Sequence, residues 1–156
     1  MYIRMFKDED ANEVSNLIKR NLFEVNIKDY DLALMKKTSQ MMEPNNIISK
    51  SSYSHIYVVI EDNKIIGTGS IAKYFGKEDE AILLSIFVLP ELHKNGIGSL
   101  IINTLEKDEF FITSKRIEIP SSITAVEFYR KHGYDYKNGI RELDEEQNYR
   151  LEKYRK

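Results

Sequence analysis

Residues 87–100 read Phe-Val-Leu-Pro-Glu-Leu-His-Lys-Asn-Gly-Ile-Gly-Ser-Leu. The pattern predicts a buried strand that stops at the proline, a polar loop, and a helix with Gly96 and Gly98 at its first turn. Free amides and the dipole at a helix N-terminus attract anions, and glycines let a phosphate approach the backbone closely. Lys94 adds a positive charge and Ser99 a hydroxyl, so the segment predicts a phosphate site. Taken alone, a Gly-x-Gly pair fits a tight strand-to-helix turn equally well.

Two other phosphate-binding motifs do not fit this segment. The Rossmann fingerprint requires a third glycine where Ile101 stands, and it belongs early in a βαβ unit. The P-loop requires Gly-Lys followed by Ser or Thr, whereas Gly98 is followed by Ser99 and Leu100. Both motifs are therefore excluded.

The rest of the chain alternates between strand-like and helix-like hydrophobic patterns. The predicted strands are residues 2–6, 55–60, 65–72, 80–88, 116–119, 134–136 and 149–154, with a turn at 61–64. The predicted helices are one with the stripe Ala11, Val14, Ile18 and Leu22, one from Asp29 or Asp31 to Met42, a short piece at 45–50, one opening at Gly96, and one ending at Lys131. Together they predict an α/β (α+β mixed) fold, a mixed sheet with helices on both faces.

Particular residues are expected to begin or end these helices. Asp8 or Asp10 is predicted to cap the first helix, because an aspartate oxygen can accept from the free amides there. Ser121 or Ser122 is predicted to cap the helix that ends at Lys131 in the same way. Gly133 is well placed to end that helix in a left-handed conformation.

The composition is that of a globular protein with one core. The 156 residues suit about one domain, and 42% of them are hydrophobic, so residues 1–156 are expected to form a single domain. The absence of cysteine excludes disulfides, thiolate nucleophiles and cysteine-based zinc sites. The three histidines, His55, His93 and His132, lack the helical spacing of a metal site, so no bound metal is expected.

Charge and hydropathy bear on partners and compartment. The 23 Lys and Arg against 25 Asp and Glu give a net charge of −2, which argues against a general nucleic-acid binder. The longest apolar run, residues 81–89, is far shorter than the ~20 residues that span a bilayer. Residues 1–10 carry acidic groups where a signal peptide has its apolar core. We therefore expect a cytoplasmic protein that binds neither nucleic acid nor membrane.

A second motif lies downstream, where residues 125–134 read Ala-Val-Glu-Phe-Tyr-Arg-Lys-His-Gly-Tyr. With this motif and the loop, the chain resembles the GNAT N-acetyltransferase superfamily over essentially its whole length. The family's acetyl-CoA loop is Gln/Arg-x-x-Gly-x-Gly/Ala after Val-x-Pro, and only His93 departs from it here. The family's Ala-x-x-Phe-Tyr-x-Lys-x-Gly-Phe/Tyr motif is matched at every defining position. Residues 149–153 also look like the family's last strand.

The resemblance implies a fold, an activity and a set of binding residues. The implied fold is a mixed, mostly antiparallel sheet of about six or seven strands flanked by about four helices. The implied activity moves an acetyl group from acetyl-CoA to a primary amine, on a small molecule or a protein, by direct attack in a ternary complex. The residues implied to bind acetyl-CoA are Ile86, Phe87, Val88, His93, Lys94, Asn95, Gly96, Ile97, Gly98, Ser99, Ser122 and Tyr129.

Tyr129 is the implied general acid. Acetylation of an amine expels a thiolate, and a phenol with a pKa of about 10 held near the sulfur can protonate it. The alternative is an aromatic pair, Phe128 and Tyr129, that packs its helix on the sheet with the hydroxyl at the rim.

The general base is where the chain departs most from the family. Many relatives carry a glutamate in the central strand at the position of Ile82, which accepts no proton. Glu80 lies two residues earlier on the same strand face and is the candidate base, acting through a bridging water. The alternatives are that Glu80 is only a strand-end carboxylate and that the amine arrives partly deprotonated.

Two further interpretations stay open. Ile82 favours a GNAT-fold module that binds acyl-CoA without turnover, and Tyr129 argues against it. A nucleic-acid-binding domain would use the basic end of the chain, Arg150, Lys153, Arg155 and Lys156. The segment 23–53, which walls the acceptor site in this family, has no charge pattern that identifies the acceptor, and a homodimer is compatible with the sequence.

Overall fold

The computed structural model describes residues 1–156 and contains seven strands and six α-helices. The strands are β1 (Tyr2–Met5), β2 (Ser54–Glu61), β3 (Lys64–Lys73), β4 (Glu80–Val88), β5 (Arg116–Ser121), β6 (Asp135–Tyr136) and β7 (Tyr149–Tyr154). The helices are α1 (Ala11–Glu24), α2 (Leu32–Met41), α3 (Pro44–Lys50), α4 (Ile97–Leu105), α5 (Glu109–Ile112) and α6 (Val126–Lys131). All seven predicted strands are present. The four-residue helix α5 was not predicted.

The strands form one mixed sheet in the order β1-β2-β3-β4-β5-β7-β6. Strands β1 and β2, β5 and β7, and β6 and β7 pair antiparallel. Strands β4 and β5 pair parallel, from Glu80 opposite Arg116 to Ile82 opposite Glu118. A parallel pair needs a long crossover connection, and α4 and α5 lie in that connection. The predicted mixed α/β fold is confirmed.

The turn between β2 and β3 shows why the hairpin forms where the sequence indicated. Asp62 and Asn63 have φ values of 51° and 61°, the left-handed region that a two-residue type I′ turn requires at both positions. Asp and Asn enter this region at lower cost than other non-glycine residues. The predicted turn at residues 61–64 is therefore confirmed with its physical cause.

The chain divides into two compact units. The first comprises residues 1–70 and 85–104, and the second comprises residues 71–84 and 105–156. The chain passes from one unit to the other within β3, within β4 and before the last residue of α4. The expectation of a single domain stays a prediction.

In the first unit, α1 supplies much of the core. Its predicted apolar stripe, at Ala11, Val14, Ile18 and Leu22, is buried at helical spacing. Asp10 is the N-cap residue of α1, as predicted, but its carboxylate makes no cap bond to the helix and instead binds the Arg4 guanidinium and the Lys7 amide. The Arg4 guanidinium holds the pKa of Asp10 below its usual value.

In the second unit, the residues of β5 alternate between two environments. Ile117 and Ile119 are buried with Leu151 of β7, whereas Arg116 and Glu118 lie on the opposite face, as the period of a strand requires. Gly133 ends α6 with a φ of 93° and donates its amide to Arg130, as predicted.

The predicted serine cap of α6 is wrong. The helix begins only at Val126 and has Ala125 as its N-cap, with no side-chain cap bond. Ser121 still belongs to β5, and its hydroxyl donates to the carbonyl of Ser122. The Ser121 hydroxyl therefore forms a hydrogen bond in the turn that follows β5 and does not cap α6. No helix combines the length and the apolar character that crossing a lipid bilayer requires.

Candidate active site

The loop between β4 and α4, in the first unit, turns through two left-handed residues. After β4 ends at Val88, a short 3₁₀ turn covers Pro90–Leu92, and Lys94 and Gly96 follow with φ values of 68° and 81°. A Cβ built on Gly96 would meet no atom within 4 Å. Glycine is therefore required at position 96 by the backbone conformation and not by a lack of space.

The start of α4 presents unpaired amides behind this loop. The Leu100 amide donates to the Gly96 carbonyl, an i to i−4 bond in the first turn of the helix. The amides of Ile97 and Gly98 precede it and have no intrahelical acceptor. The positive end of the helix dipole and the exposed Lys94 lie at the same helix start, an arrangement that attracts anions, and phosphate binding here stays a prediction.

Gly67 of β3 lets α4 pack close to its strand. A Cβ at this position would lie 3.2 Å from both Ile97 Cγ2 and Ile101 Cδ1, tighter than ordinary van der Waals contact. The absence of a side chain at Gly67 therefore fixes the height of the first turn of α4 above the strand. This contact positions the helix start and was not evident in the sequence.

Within β4, Ser85 interrupts the extended conformation. Its φ of 54° is unusual for a non-glycine residue and resembles the local kink of a β-bulge. The kink comes directly before Ile86, Phe87 and Val88, the predicted pantetheine-binding residues, which are half-buried. Bulges re-aim the backbone next to functional sites, so Ser85 is a feature that sequence reasoning missed. Its one signal was a polar residue inside an apolar run.

His93 turns back onto the end of β4. Its Nε2 lies 2.9 Å from the carbonyl oxygen of Val88, and Asn95 Nδ2 lies 3.5 Å from the His93 carbonyl. The loop is thus held by its own side chains. The predicted cofactor-binding residues from Lys94 to Ser99 come together in this loop and in the first turn of α4.

Tyr129, in the second unit, is buried on α6, with 7% of its surface exposed. Its ring packs against Phe128 with centroids 5.3 Å apart. Its hydroxyl makes no hydrogen bond within the chain, and since no buried side-chain polar atom lacks a partner, its oxygen lies where solvent reaches it. Burial raises the pKa of the phenol above its usual value, so the hydroxyl keeps its proton at neutral pH.

Tyr134 offers a contrast on the same segment. It is also buried, but its hydroxyl donates to Glu106 Oε2 at 2.8 Å, and Lys153 binds the same carboxylate. Burial and the neighbouring Glu106 carboxylate raise the pKa of Tyr134 well above its ordinary value. Of these two buried tyrosines, only Tyr129 has a hydroxyl left over for a ligand.

Glu80, the predicted base, lies at the start of β4 in an ion-pair cluster. Its Oε1 is 2.8 Å from Arg116 Nη1, and its Oε2 is 3.4 Å from Lys77 Nζ. Ile82, two residues along the strand, is buried and lies opposite Glu118 of β5. The carboxylate of Glu80 is therefore neither a bare strand end nor free of partners.

Glu118 is the centre of this cluster and was not singled out by sequence reasoning. Its side chain is fully buried, and its two oxygens contact Arg116, Lys137 and Arg150. Burial by itself would raise the pKa of Glu118, but the three cations outweigh it and hold the pKa below its ordinary value. Arg116 continues the cluster to Glu152 at 2.9 Å.

The remaining predicted residues have other surroundings. Ser122 follows β5 and its carbonyl accepts from the Ser121 hydroxyl and the Ala125 amide. Phe23 and Tyr53, at the two ends of the segment 23–53 that is expected to wall the acceptor site, are exposed in the first unit. In the second unit, Arg116 and Lys137 lie over the ring of Tyr74.

The basic end of the chain is occupied by partners within the second unit. Arg150 pairs with Glu118 and Asp144, Lys153 with Glu106, and Arg155 Nε donates to the Ser114 carbonyl. Nucleic-acid binding through phosphate contacts would have to displace these partners.

Comparisons with known proteins point to one family. The acetyltransferase (GNAT) domain model matches residues 52–136. The N-acetyltransferase PaiA from Thermoplasma acidophilum, solved with coenzyme A, superposes with a TM-score of 0.79 at 16% identity, over 99% of this chain and 100% of that one. A GCN5-related N-acetyltransferase from Rhodopseudomonas palustris gives 0.80 at 18% identity, over 98% and 94%.

A predicted acetyltransferase from Clostridium acetobutylicum, solved with acetyl-CoA, gives a TM-score of 0.68 at 18% identity, over 92% of this chain and 95% of that one. At these identities the structures establish likeness of fold. No curated protein sequence matches the chain.

Proposed function

This chain belongs to the GNAT acetyltransferase family, and on that premise we propose that it transfers an acetyl group from acetyl-CoA to a primary amine by direct attack in a ternary complex. The observation that carries the proposal is the start of α4, where the amides of Ile97 and Gly98 have no backbone acceptor and follow the left-handed Lys94 and Gly96. Amides at a helix N-terminus can donate hydrogen bonds to the pyrophosphate of acetyl-CoA.

The rest of the cofactor is assigned to residues on either side of the loop. We propose that the backbone of Ile86–Val88 pairs with the pantetheine arm and that an amide there polarises the thioester carbonyl. Lys94, Asn95 and Ser99 supply polar groups along the loop, and Ser122 is proposed as a further contact. The left-handed φ of Ser85 supports this role, because it interrupts the extended conformation of β4 directly before the pairing residues.

The proposed chemical step uses Tyr129 as the proton donor. The amine nitrogen attacks the thioester carbonyl, a C–N bond forms, and the C–S bond breaks with its electron pair on sulfur. The Tyr129 hydroxyl supplies a proton to that sulfur and regains one from solvent, and the newly bonded nitrogen gives up its extra proton to solvent or to Glu80. Two features support this role: the phenol is protonated at neutral pH, and its hydroxyl is not used within the chain.

The amine must also lose a proton, and the chain has no dedicated base in the usual strand position. Ile82 cannot accept one, and both oxygens of Glu80 are engaged by Arg116 and Lys77. Each of these oxygens can still accept from a water, but a proton taken up by Glu80 would weaken its pairs with Arg116 and Lys77. We therefore propose that the substrate amine enters partly deprotonated and that Glu80 serves as an auxiliary proton acceptor. Activity should rise with pH as the amine loses its proton.

A second candidate function is a GNAT-fold module that binds acyl-CoA without turnover, which Ile82 favours. The two functions are separated by incubating the protein with acetyl-CoA and a panel of amines, including polyamines, aminoglycosides, amino acids and lysine peptides. Release of free CoA that depends on one amine class establishes the transferase and identifies its acceptor. Tight binding of acetyl-CoA with no CoA release across the panel establishes the binding module.

Gly98→Asp tests the proposed loop. The substitution places a Cβ and a negative charge at the first turn of α4, where the pyrophosphate is proposed to bind. The affinity for acetyl-CoA should therefore fall by more than about tenfold. Titration calorimetry measures the change, and circular dichroism confirms that the variant is folded. A folded variant with unchanged affinity would contradict the assignment of this loop.

A further inference from the structure

Asn21 is a buried amide inside the apolar side of α1. Only 3% of its surface is exposed, and Leu17 and Leu22 beside it are buried as well. A buried amide is costly unless its groups are hydrogen-bonded. Here Nδ2 donates to the carbonyls of Leu17, at 3.0 Å, and Val88, at 2.9 Å, while Oδ1 faces His93 Nε2 at 3.2 Å.

Three groups therefore meet at the last residue of β4. The Val88 carbonyl can only accept, so Nε2 of His93 carries a hydrogen and donates it to Val88 at 2.9 Å and toward Asn21 Oδ1. The Val88 oxygen thus receives two side-chain donors that lie 67 positions upstream and five positions downstream. We call Asn21, Val88 and His93 the strand-end clamp.

The clamp closes the loop at the point where the chain leaves the sheet. The Leu89 amide still donates to Ile66 of β3, and the next residues form the 3₁₀ turn. The side chain of His93 then returns to Val88 and closes a short ring of backbone. Lys94, with its left-handed φ, follows immediately, so the direction in which the loop amides point depends on where this ring ends.

A second contact between α1 and the loop serves as a control. Arg20, adjacent to Asn21, pairs with Glu91 at 3.0 Å and also with Glu24. Both ends of the Arg20–Glu91 pair are well exposed, and exposed ion pairs hold a loop weakly. The buried amide and the exposed guanidinium therefore make contrasting contacts from neighbouring positions of one helix.

We propose that Asn21 and His93 are positioning residues that hold the loop in the conformation that binds acetyl-CoA, with Asn21 acting from α1 through Val88. The proposal rests on the proposed function, since the ligand is that of the same loop. The proposal assigns a role to Asn21, which lies outside both sequence motifs. In this proposal the imidazole of His93 binds the protein backbone and not the cofactor.

The test measures acetyl-CoA affinity in Asn21→Ala, His93→Ala, the double variant, His93→Gln and Arg20→Ala. Each alanine variant of the clamp should raise the Kd about tenfold, the scale of one lost buried hydrogen bond. The double variant should fall short of the product of the two, because both side chains act on one carbonyl. His93→Gln should stay within about threefold of the wild type, since its amide can donate to Val88. Arg20→Ala should bind normally.

Hydrogen exchange supplies a readout that a general loss of stability would not move. The hydrogen-bonded amides of Leu89, Leu92 and Leu100, which flank the clamp and the loop, should exchange faster in Asn21→Ala and His93→Ala, while those of β2 remain protected. Wild-type affinity in both alanine variants, or unchanged exchange of these flanking amides, would overturn the proposal while leaving the proposed function intact. Failure of the wild-type protein itself to bind acetyl-CoA would overturn the proposed function and this proposal with it.

Discussion

Replacing Tyr129 by phenylalanine is expected to lower kcat by about 10²–10⁴-fold, the usual scale for loss of a general acid. The ring and its packing against Phe128 remain, so acetyl-CoA affinity should barely change. The hydroxyl has no partner within the chain, so its removal should change the free energy of unfolding by less than about 1 kcal/mol. Single-turnover kinetics with the acceptor found in the amine panel measures the chemical step directly. A rate within about threefold of the wild type would refute the acid role.

Tyr134→Phe is the matched control for this experiment. Tyr134 is a buried tyrosine five positions away, and its hydroxyl is bound to Glu106. Losing that hydrogen bond should lower stability by about 1–3 kcal/mol, because the acceptor is a charged group. Its kcat should stay near the wild-type value. Equal losses of kcat in the two variants would mean that kcat depends on the packing of α6 and not on proton donation by Tyr129.

Replacing Glu118 by alanine is expected to give the largest loss of stability, about 3–5 kcal/mol, because it removes a fully buried carboxylate that the nearly buried Arg116 shares with two half-buried cations. Arg116, Lys137 and Arg150 all converge on this side chain, and between them they tie β5 and β7 to the segment after β6. Chemical denaturation measures the change. Asp79→Ala, which breaks only the exposed pair with Lys115, is the control and should leave the midpoint unchanged.

The same carboxylate predicts a pH dependence with a defined sign. The folded state holds the pKa of Glu118 below its ordinary value, so its contribution is present above the unfolded-state pKa of about 4.3 and is lost as pH falls through the folded value. Glu118→Gln lacks this titration. The stability gap between wild type and Glu118→Gln should therefore be widest near neutral pH and should narrow on acidification. A gap that stays constant down to acidic pH would show that Glu118 contributes by shape and not by charge.

The strand-end clamp and the Glu118 cluster share a physical character. Each joins residues far apart in the chain through a buried polar group whose partners are all present. Buried polar groups of this kind are expensive to leave unpaired, so they hold a single arrangement. In the clamp the arrangement bears on the cofactor loop, and in the cluster it bears on the register of β5 against β7.

Local patterns in the sequence determined the elements and the central motif. The alternation of β-branched residues placed β2 and β3, the pair Asp62 and Asn63 suited the turn between them, and the apolar stripe of α1 followed the helical period. Gly96 could be identified because a left-handed position favours glycine whatever surrounds it. These features depend on residues within one or two turns of chain, so the sequence alone contains them.

Tertiary structure decided which polar side chains serve the site and which hold the fold. Asp10 occupies the N-cap of α1 but directs its carboxylate to Arg4. Glu80 pairs with Arg116, and His93 contacts Val88 and Asn21, although local roles were predicted for both residues. Their partners come from other elements, and a hydrogen bond or ion pair depends on distance and burial, which no spacing in the sequence expresses. The kink at Ser85 belongs to the same class, because its backbone conformation is imposed by the surrounding sheet and not by serine's own preference.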